Sequence, residues 1–226
     1  MEQIEKNTVS AKGQLKPSQF VSFEYPENQG IRILFVGNSI TRHGIAPNIG
    51  WHWDWGMAAS AKEKDYVHRV IDKVEKTHPD ACFCICQVAE WERRYKENDA
   101  ALPLYASAAD FEADVIVMRL IENAKVPPED WEEFKAAFGR LIAYLDREKK
   151  AKVLVTTGFW KHKGDEALRQ FAKENHMPLV ELGDLGEMDA MKAVGLFEHS
   201  GVAAHPGDLG MEALAERIYD VIREWL

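Results

Sequence analysis

The run Ile31-Arg32-Ile33-Leu34-Phe35-Val36-Gly37-Asn38-Ser39-Ile40-Thr41 carries an apolar, β-branched stretch straight into a turn that holds a serine. Just past the carboxyl end of a buried strand, Gly37 lets the backbone turn sharply, and the N–H groups around Ser39 can point at an oxyanion. Acyl transfer needs its nucleophile in such a place. In a plainer reading Asn38 and Ser39 only cap the following segment, as these residue types commonly do. Near the other end, Ala204-His205-Pro206-Gly207-Asp208 precedes an amphipathic run. Pro206 stands just before it and Asp208 is a candidate N-cap, so His205 falls on a loop. A lone loop histidine is ordinarily a solvated side chain, but paired with a distant serine it is what nucleophilic hydrolysis requires.

Gly37-Asn38-Ser39-Ile40 after the first strand resembles the G-D-S-L block of the SGNH (GDSL-type) hydrolases, and His205-Pro206 with Gly210 before a terminal helix resembles their last block. The resemblance runs from about Ile31 to Leu226. It implies a flavodoxin-like three-layer α/β/α sandwich and a serine esterase that needs no metal or organic cofactor; the chain's lack of an extended apolar lid for long lipids points to small acyl, above all acetyl, esters. It also implies Ser39 as nucleophile, His205 as general base and Asn123, just past the strand Val115 to Leu120, as a side-chain oxyanion donor. Three positions depart from the family pattern. The usual Gly two residues before the Asn is Ile121. The second-strand loop, Gln87-Val88-Ala89-Glu90-Trp91-Glu92, has no glycine, so its backbone oxyanion donor is one of Ala89 to Glu92, with Gly56 a second candidate. Where the family places its acid, three residues before the histidine, stands Val202, and valine can neither orient an imidazole nor stabilise its cation. A backbone oxygen can still fix the tautomer; the carboxylates in reach along the chain are Glu198 and Glu122. The expectation is a Ser-His dyad helped by one of these three.

Trp51, Trp53 and Trp55 alternate in the loop after the serine, and Trp91 follows the second strand. Aromatic faces stack on sugar rings and acyl groups, so these four are expected at the mouth of the site, making a carbohydrate ester a candidate substrate; packing in the core is the other reading. Trp160 and Trp225 read as structural. Arg119, Glu122, Glu92, Arg93 and Arg94 are expected to form an ion-pair network under the site, binding of a substrate carboxylate being the other reading, and the loop histidines His43 and His52 read as bystanders, with contact to substrate the alternative. A non-catalytic carbohydrate- or small-molecule-binding protein of the same fold would account for Val202 without any reaction. A flavin or nucleotide binder is disfavoured, because Gly37 to Thr41 has too few glycines and no lysine to cradle phosphate.

Apolar runs at Ile31–Val36, Cys82–Val88, Asp114–Leu120 and Lys152–Thr157, with a weaker one at Pro178–Leu182, read as buried strands. Ala58–Thr77, Trp131–Lys149, Asp165–Asn175 and Gly210–Trp225 read as helices. Alternating strands and helices predict a parallel sheet of about five strands covered on both faces, with ligands at the carboxyl ends of the strands. The 226 residues fit one domain, with residues 1–30 as an arm or edge strand drawn from Gln19–Tyr25. The long connections are Thr41–Gly56 and Glu92–Ala109. A net charge of −9 with scattered basic residues argues against nucleic acid and anionic membranes. No stretch is long enough to span a bilayer and the start is polar, which points to the cytoplasm. Cys82, Cys84 and Cys86 alternate along one strand face and read as reduced core residues, without the spacing of a metal site.

Overall fold

The computed structural model describes residues 15–226, so the first part of the expected arm lies outside the described residues. Strands form where the apolar runs leave no wet face. They are Val21–Glu24 (β1), Arg32–Gly37 (β2), Cys82–Gln87 (β3), Val115–Arg119 (β4), Lys152–Thr156 (β5) and Leu179–Val180 (β6). They build one sheet in the order β1-β3-β2-β4-β5-β6. β2 to β6 run parallel, while β1 pairs antiparallel with β3, Val21 facing Cys86. The sheet thus has one strand beyond the five of its parallel part, added at the edge.

Among the described residues the α-helices are Tyr66–Glu75 (α1), Ala89–Arg94 (α2), Ala106–Ala109 (α3), Trp131–Leu145 (α4), Asp165–Glu174 (α5), Ser200–Ala203 (α6) and Asp208–Ile222 (α7). Side chains alternate across a strand, so each strand feeds both faces of the sheet. Leu34 and Val36 of β2 share one core with all three cysteines and with Phe134 and Phe138 of α4. Ile33 and Phe35 share the other with Val67 and Val70 of α1 and Leu214 and Ile218 of α7. The cysteines are free and buried, and burial pushes each thiol pKa up.

Two helix starts differ from the expected ones for local reasons. The periodicity over Ala58–Thr77 becomes helix only from Tyr66, because the Asp65 carboxylate caps it by accepting the His68 N–H at 2.8 Å. Asp208 is the first residue of α7 rather than its cap, and its carboxylate instead accepts from Ser60, at 2.9 Å from the N–H and 2.7 Å from the hydroxyl. α2, α3 and α6 are too short for periodicity to reveal. No helix among the described residues is long and apolar enough to cross a membrane.

Gly37 ends β2 where the chain turns toward Ser39 beside β4. A Cβ there would overlap Thr41 Oγ1 and stand 2.5 Å from the Arg119 carbonyl oxygen, so only glycine lets the turn sit this close to its neighbour. Thr41 Oγ1 lies 2.8 Å from Tyr66 Oη, which ties the turn to α1. Gly37→Ala is expected to cost about 3 kcal/mol, roughly 10 °C in Tm. Gly44→Ala, whose added methyl meets nothing within 4 Å, leaves Tm within about 2 °C. Thermal denaturation of the two variants checks this; equal melting points would contradict it.

Candidate active site

Past β2 the chain makes a tight turn, with the N–H groups of Thr41 and Arg42 donating to the Asn38 carbonyl at 2.9 and 3.0 Å. The turn leaves Ser39 half-buried on a cavity of about 210 Å³. His205 reaches the same cavity from the loop between α6 and α7. Its backbone is held on both sides: its N–H donates to the Val202 carbonyl at 3.0 Å, and its carbonyl accepts the Ala193 N–H at 2.9 Å. Ser39 Oγ stands 2.8 Å from His205 Nε2, and His205 Nδ1 stands 2.7 Å from the Gly201 carbonyl oxygen. A carbonyl only accepts, so Nδ1 carries the proton and Nε2 of the neutral ring accepts from the serine hydroxyl. Gly201 lies in α6, whose last carbonyls have no partner within the helix, and the imidazole satisfies one of them. Burial pushes the His205 pKa down to about 4, against the partial support of the Gly201 carbonyl. The ring is therefore neutral at pH 7. The Trp160 ring packs nearly perpendicular to it, ring centroids 5.3 Å apart.

Neither carboxylate considered as a partner for His205 meets it. Glu198 is exposed on the rim of another cavity, with Pro47 and Phe197. Glu122 is turned beneath the site: Oε1 accepts from Arg119 Nη2 and, at 2.8 Å, from the Phe159 N–H, and Oε2 from Asn38 Nδ2 at 2.5 Å. The family's acid position is closed by packing, since Val202 is buried in a small cluster with Trp51, Met57 and Ala58, where a carboxylate would be desolvated.

Asn123 lies on the turn after β4 and lines the Ser39 cavity. Its Nδ2 donates to Glu92 Oε2 at 2.6 Å and its Oδ1 accepts from Arg93 Nη2 at 3.3 Å. A guanidinium can only donate and a carboxylate only accept, so these neighbours fix which way the amide points, and the second Nδ2 hydrogen stays free. Glu92 is fully buried and also accepts the Ile121 N–H at 2.6 Å and Asn38 Nδ2 at 3.0 Å through Oε1. Burial and the neighbouring Glu122 raise the Glu92 pKa. For Glu122 burial also acts upward, but the Arg119 guanidinium outweighs it and holds that carboxyl below its usual range. Arg119, Glu122, Glu92 and Asn38 thus form one buried network, while Arg94 pairs outward with Glu97 at 2.7 Å. At Ile121, where the family has Gly, φ is 139°, a conformation costly for a β-branched residue. Its side chain fills the space over two glycines: a Cβ on Gly158 or Gly164 would stand 3.0 or 2.9 Å from it.

Of Ala89 to Glu92, only Ala89 lines the cavity. It begins α2, so its N–H has no acceptor within the helix. The Trp91 and Glu92 N–H groups are spent, at 3.0 Å each, on Tyr105 Oη and the Val88 carbonyl. Gly56 is spent too, donating to Asp65 Oδ2 at 3.0 Å. The Ser39 N–H makes no hydrogen bond among the described residues.

The tryptophans lie elsewhere than expected, for none of Trp51, Trp53, Trp55 and Trp91 lines the Ser39 cavity. Trp51 is fully buried and meets Trp53 and Trp55 edge-on, at 5.1 and 6.1 Å between centroids. Trp91 is buried on the other side of the sheet with Tyr95 and Phe134. Trp160, expected to be structural, packs against the core and also meets the His205 ring, but it too is outside the cavity lining. His43 lines the cavity and His52 does not; His199, unmarked in the sequence, caps α6 and lines the cavity as well.

No family model matches this sequence, and no curated protein does. Solved structures match in fold. A two-domain esterase active on acetylated mannans, co-crystallised with mannopentaose, superposes with a TM-score of 0.55 at 17% identity over 86% of this chain and 50% of its own. A family two carbohydrate esterase from Cellvibrio japonicus gives 0.57 at 14% identity, over 86% of this chain and 61% of its own. A lipolytic protein of the G-D-S-L family from Veillonella parvula gives 0.53 at 12% identity, over 86% and 99%. The chain spans about half the length of the mannan esterase. What these likenesses establish is the architecture: this chain has the fold of the G-D-S-L (SGNH) hydrolases.

Proposed function

We propose that the chain is a serine esterase that removes small acyl groups, acetyl foremost, from carbohydrate or other small-molecule esters. The observation that carries this reading is the contact of 2.8 Å between Ser39 Oγ and the accepting Nε2 of a neutral His205, on one cavity with Asn123 and Ala89. Ser39 Oγ attacks the carbonyl carbon as Nε2 takes the hydroxyl proton. The tetrahedral oxyanion receives the Ser39 and Ala89 N–H groups and the free Asn123 Nδ2 hydrogen. Collapse expels the alcohol, which takes the proton from Nε2. Water then attacks the acyl-enzyme with His205 again as base, releasing the acid and restoring the serine. The small cavity favours short acyl groups, and among structures of this fold one esterase acts on acetylated mannans.

The Gly201 carbonyl performs part of the work of a triad acid. It fixes the tautomer, whose loss in a triad protease costs about 10⁴ in turnover, but it brings no full charge to stabilise the imidazolium. The base is correspondingly weak, with a pKa of about 4.

The decisive assay compares p-nitrophenyl acetate hydrolysis by the wild type and Ser39→Ala, with a fluorophosphonate label located by mass spectrometry. The reading expects the label on Ser39 and a loss in the variant of at least about 10³. Equal rates without a label would overturn it and favour a binding protein. Asn123→Ala is expected to lower kcat by about 10² to 10³ with KM little changed, as steady-state kinetics will show. Activity requires unprotonated Nε2, so it is lost as pH falls through the His205 pKa. The acid limb of kcat/KM is therefore expected near 4 rather than at the ordinary 6.5, and a limb at 6.5 in the pH profile would contradict the assignment.

A further inference from the structure

The Ser39 cavity shares two lining residues, Arg93 and Asn123, with a larger cavity of about 620 Å³. Four cationic side chains line the larger one, Arg93, Arg94, Lys96 and Lys125, against the carboxylates of Glu97 and Asp130. Two of the four are already neutralised. Arg94 lies 2.7 Å from Glu97 and 3.2 Å from Glu90, and Lys96 lies 2.7 Å from Asp130 and 3.4 Å from Glu133. Lys125 is exposed and makes no ion pair among the described residues. Arg93, its side chain 57% exposed, has only a contact of 3.9 Å with Glu90, a carboxylate that Arg94 approaches more closely. One Arg93 nitrogen donates to Asn123 Oδ1 at 3.3 Å, which leaves further donors of its fork for a ligand. Tyr95 and Pro127 supply apolar wall, and the Tyr95 hydroxyl donates to the Lys125 carbonyl at 2.8 Å, holding that loop in place. In a chain of net charge −9, two uncommitted cations thus flank the residue that donates to the oxyanion.

We propose that the esters taken at Ser39 carry an anionic group, a carboxylate or a phosphate, which Arg93 and Lys125 bind in the larger cavity. The inference rests on the esterase reading for its reaction and adds the charge class of the substrate. Arg93 offers a planar fork suited to two oxygens, and Lys125 a point charge. A neutral ester occupies the Ser39 cavity and leaves the cationic one to water.

The test compares kcat/KM for 4-acetoxybenzoate with that for its methyl ester, which differ in charge but keep the same acetyl group. Lys125→Gln and Arg93→Gln are each expected to lower the anionic-to-neutral ratio about threefold, and the double variant about tenfold, the scale of exposed ion pairs. About 1 M salt, with a Debye length of about 3 Å, should lower the wild-type ratio in the same way. 4-Acetoxyphenyl phosphate forms the second arm, and the anion whose rate falls more in the double variant identifies the group bound. A ratio unchanged between wild type and double variant overturns the proposal while leaving the esterase reading intact. If no ester is hydrolysed and Ser39 takes no label, that reading falls, and binding of 4-acetamidobenzoate against its methyl ester decides the proposal. A preference for the anion that the double variant loses upholds the site; equal binding overturns it.

Discussion

Two carboxylates, Glu92 and Glu122, are buried beneath Ser39, and a single amide nitrogen, Asn38 Nδ2, donates to both, at 3.0 and 2.5 Å. Two like charges out of water demand compensation, and Arg119 is the one guanidinium buried with them. The rest of the compensation comes from the carboxyl ends of the strands. Asn38 follows β2, Glu92 lies in α2 after β3, Ile121 and Asn123 follow β4, and the Phe159 N–H comes from the turn after β5. One network thus ties four strand ends together under the serine. It also accounts for asparagine where the G-D-S-L block has aspartate. A carboxylate at position 38 would add a third anion to a pair already short of cations, whereas the amide bridges them.

The other departures from the family pattern have equally local causes. Ile121 adopts a backbone conformation that favours glycine, and the glycine has in effect moved, since Gly158 and Gly164 leave the room its side chain fills. The Glu92 carboxylate holds the Ile121 N–H at 2.6 Å, so the network that orients Asn123 also holds the strained residue before it. At Val202 the acid position has become part of the apolar cluster around Trp51, and the orienting role passes to the backbone of the same short helix, through the Gly201 carbonyl.

Elements long enough to show a period were legible in the sequence, and so were Ser39 and His205, polar residues at a strand end and before a helix. Their contact depends on α6, a helix of 4 residues with no periodic signal. The backbone oxygen that serves His205 belonged to the expected alternatives, but its identity depends on that helix turn. Aromatic residues in a loop read as exposed because sequence distance says nothing about what folds over them. Trp51 is closed over by Trp53, Trp55 and Phe197, while Trp160, on the chain after β5, meets His205. Ala89 is set apart from its neighbours by the cavity it lines, which its place in the sequence does not reveal.

The proposed chemistry needs a neutral histidine whose tautomer is set by a carbonyl, and nitrogen NMR of the labelled imidazoles observes this directly. The signal of His205, picked out among the 8 histidines by its loss in His205→Asn, is predicted to report a proton on Nδ1 at neutral pH and to titrate near 4. A proton on Nε2, or titration at the ordinary 6.5, would contradict the assignment of His205 as a base held by Gly201.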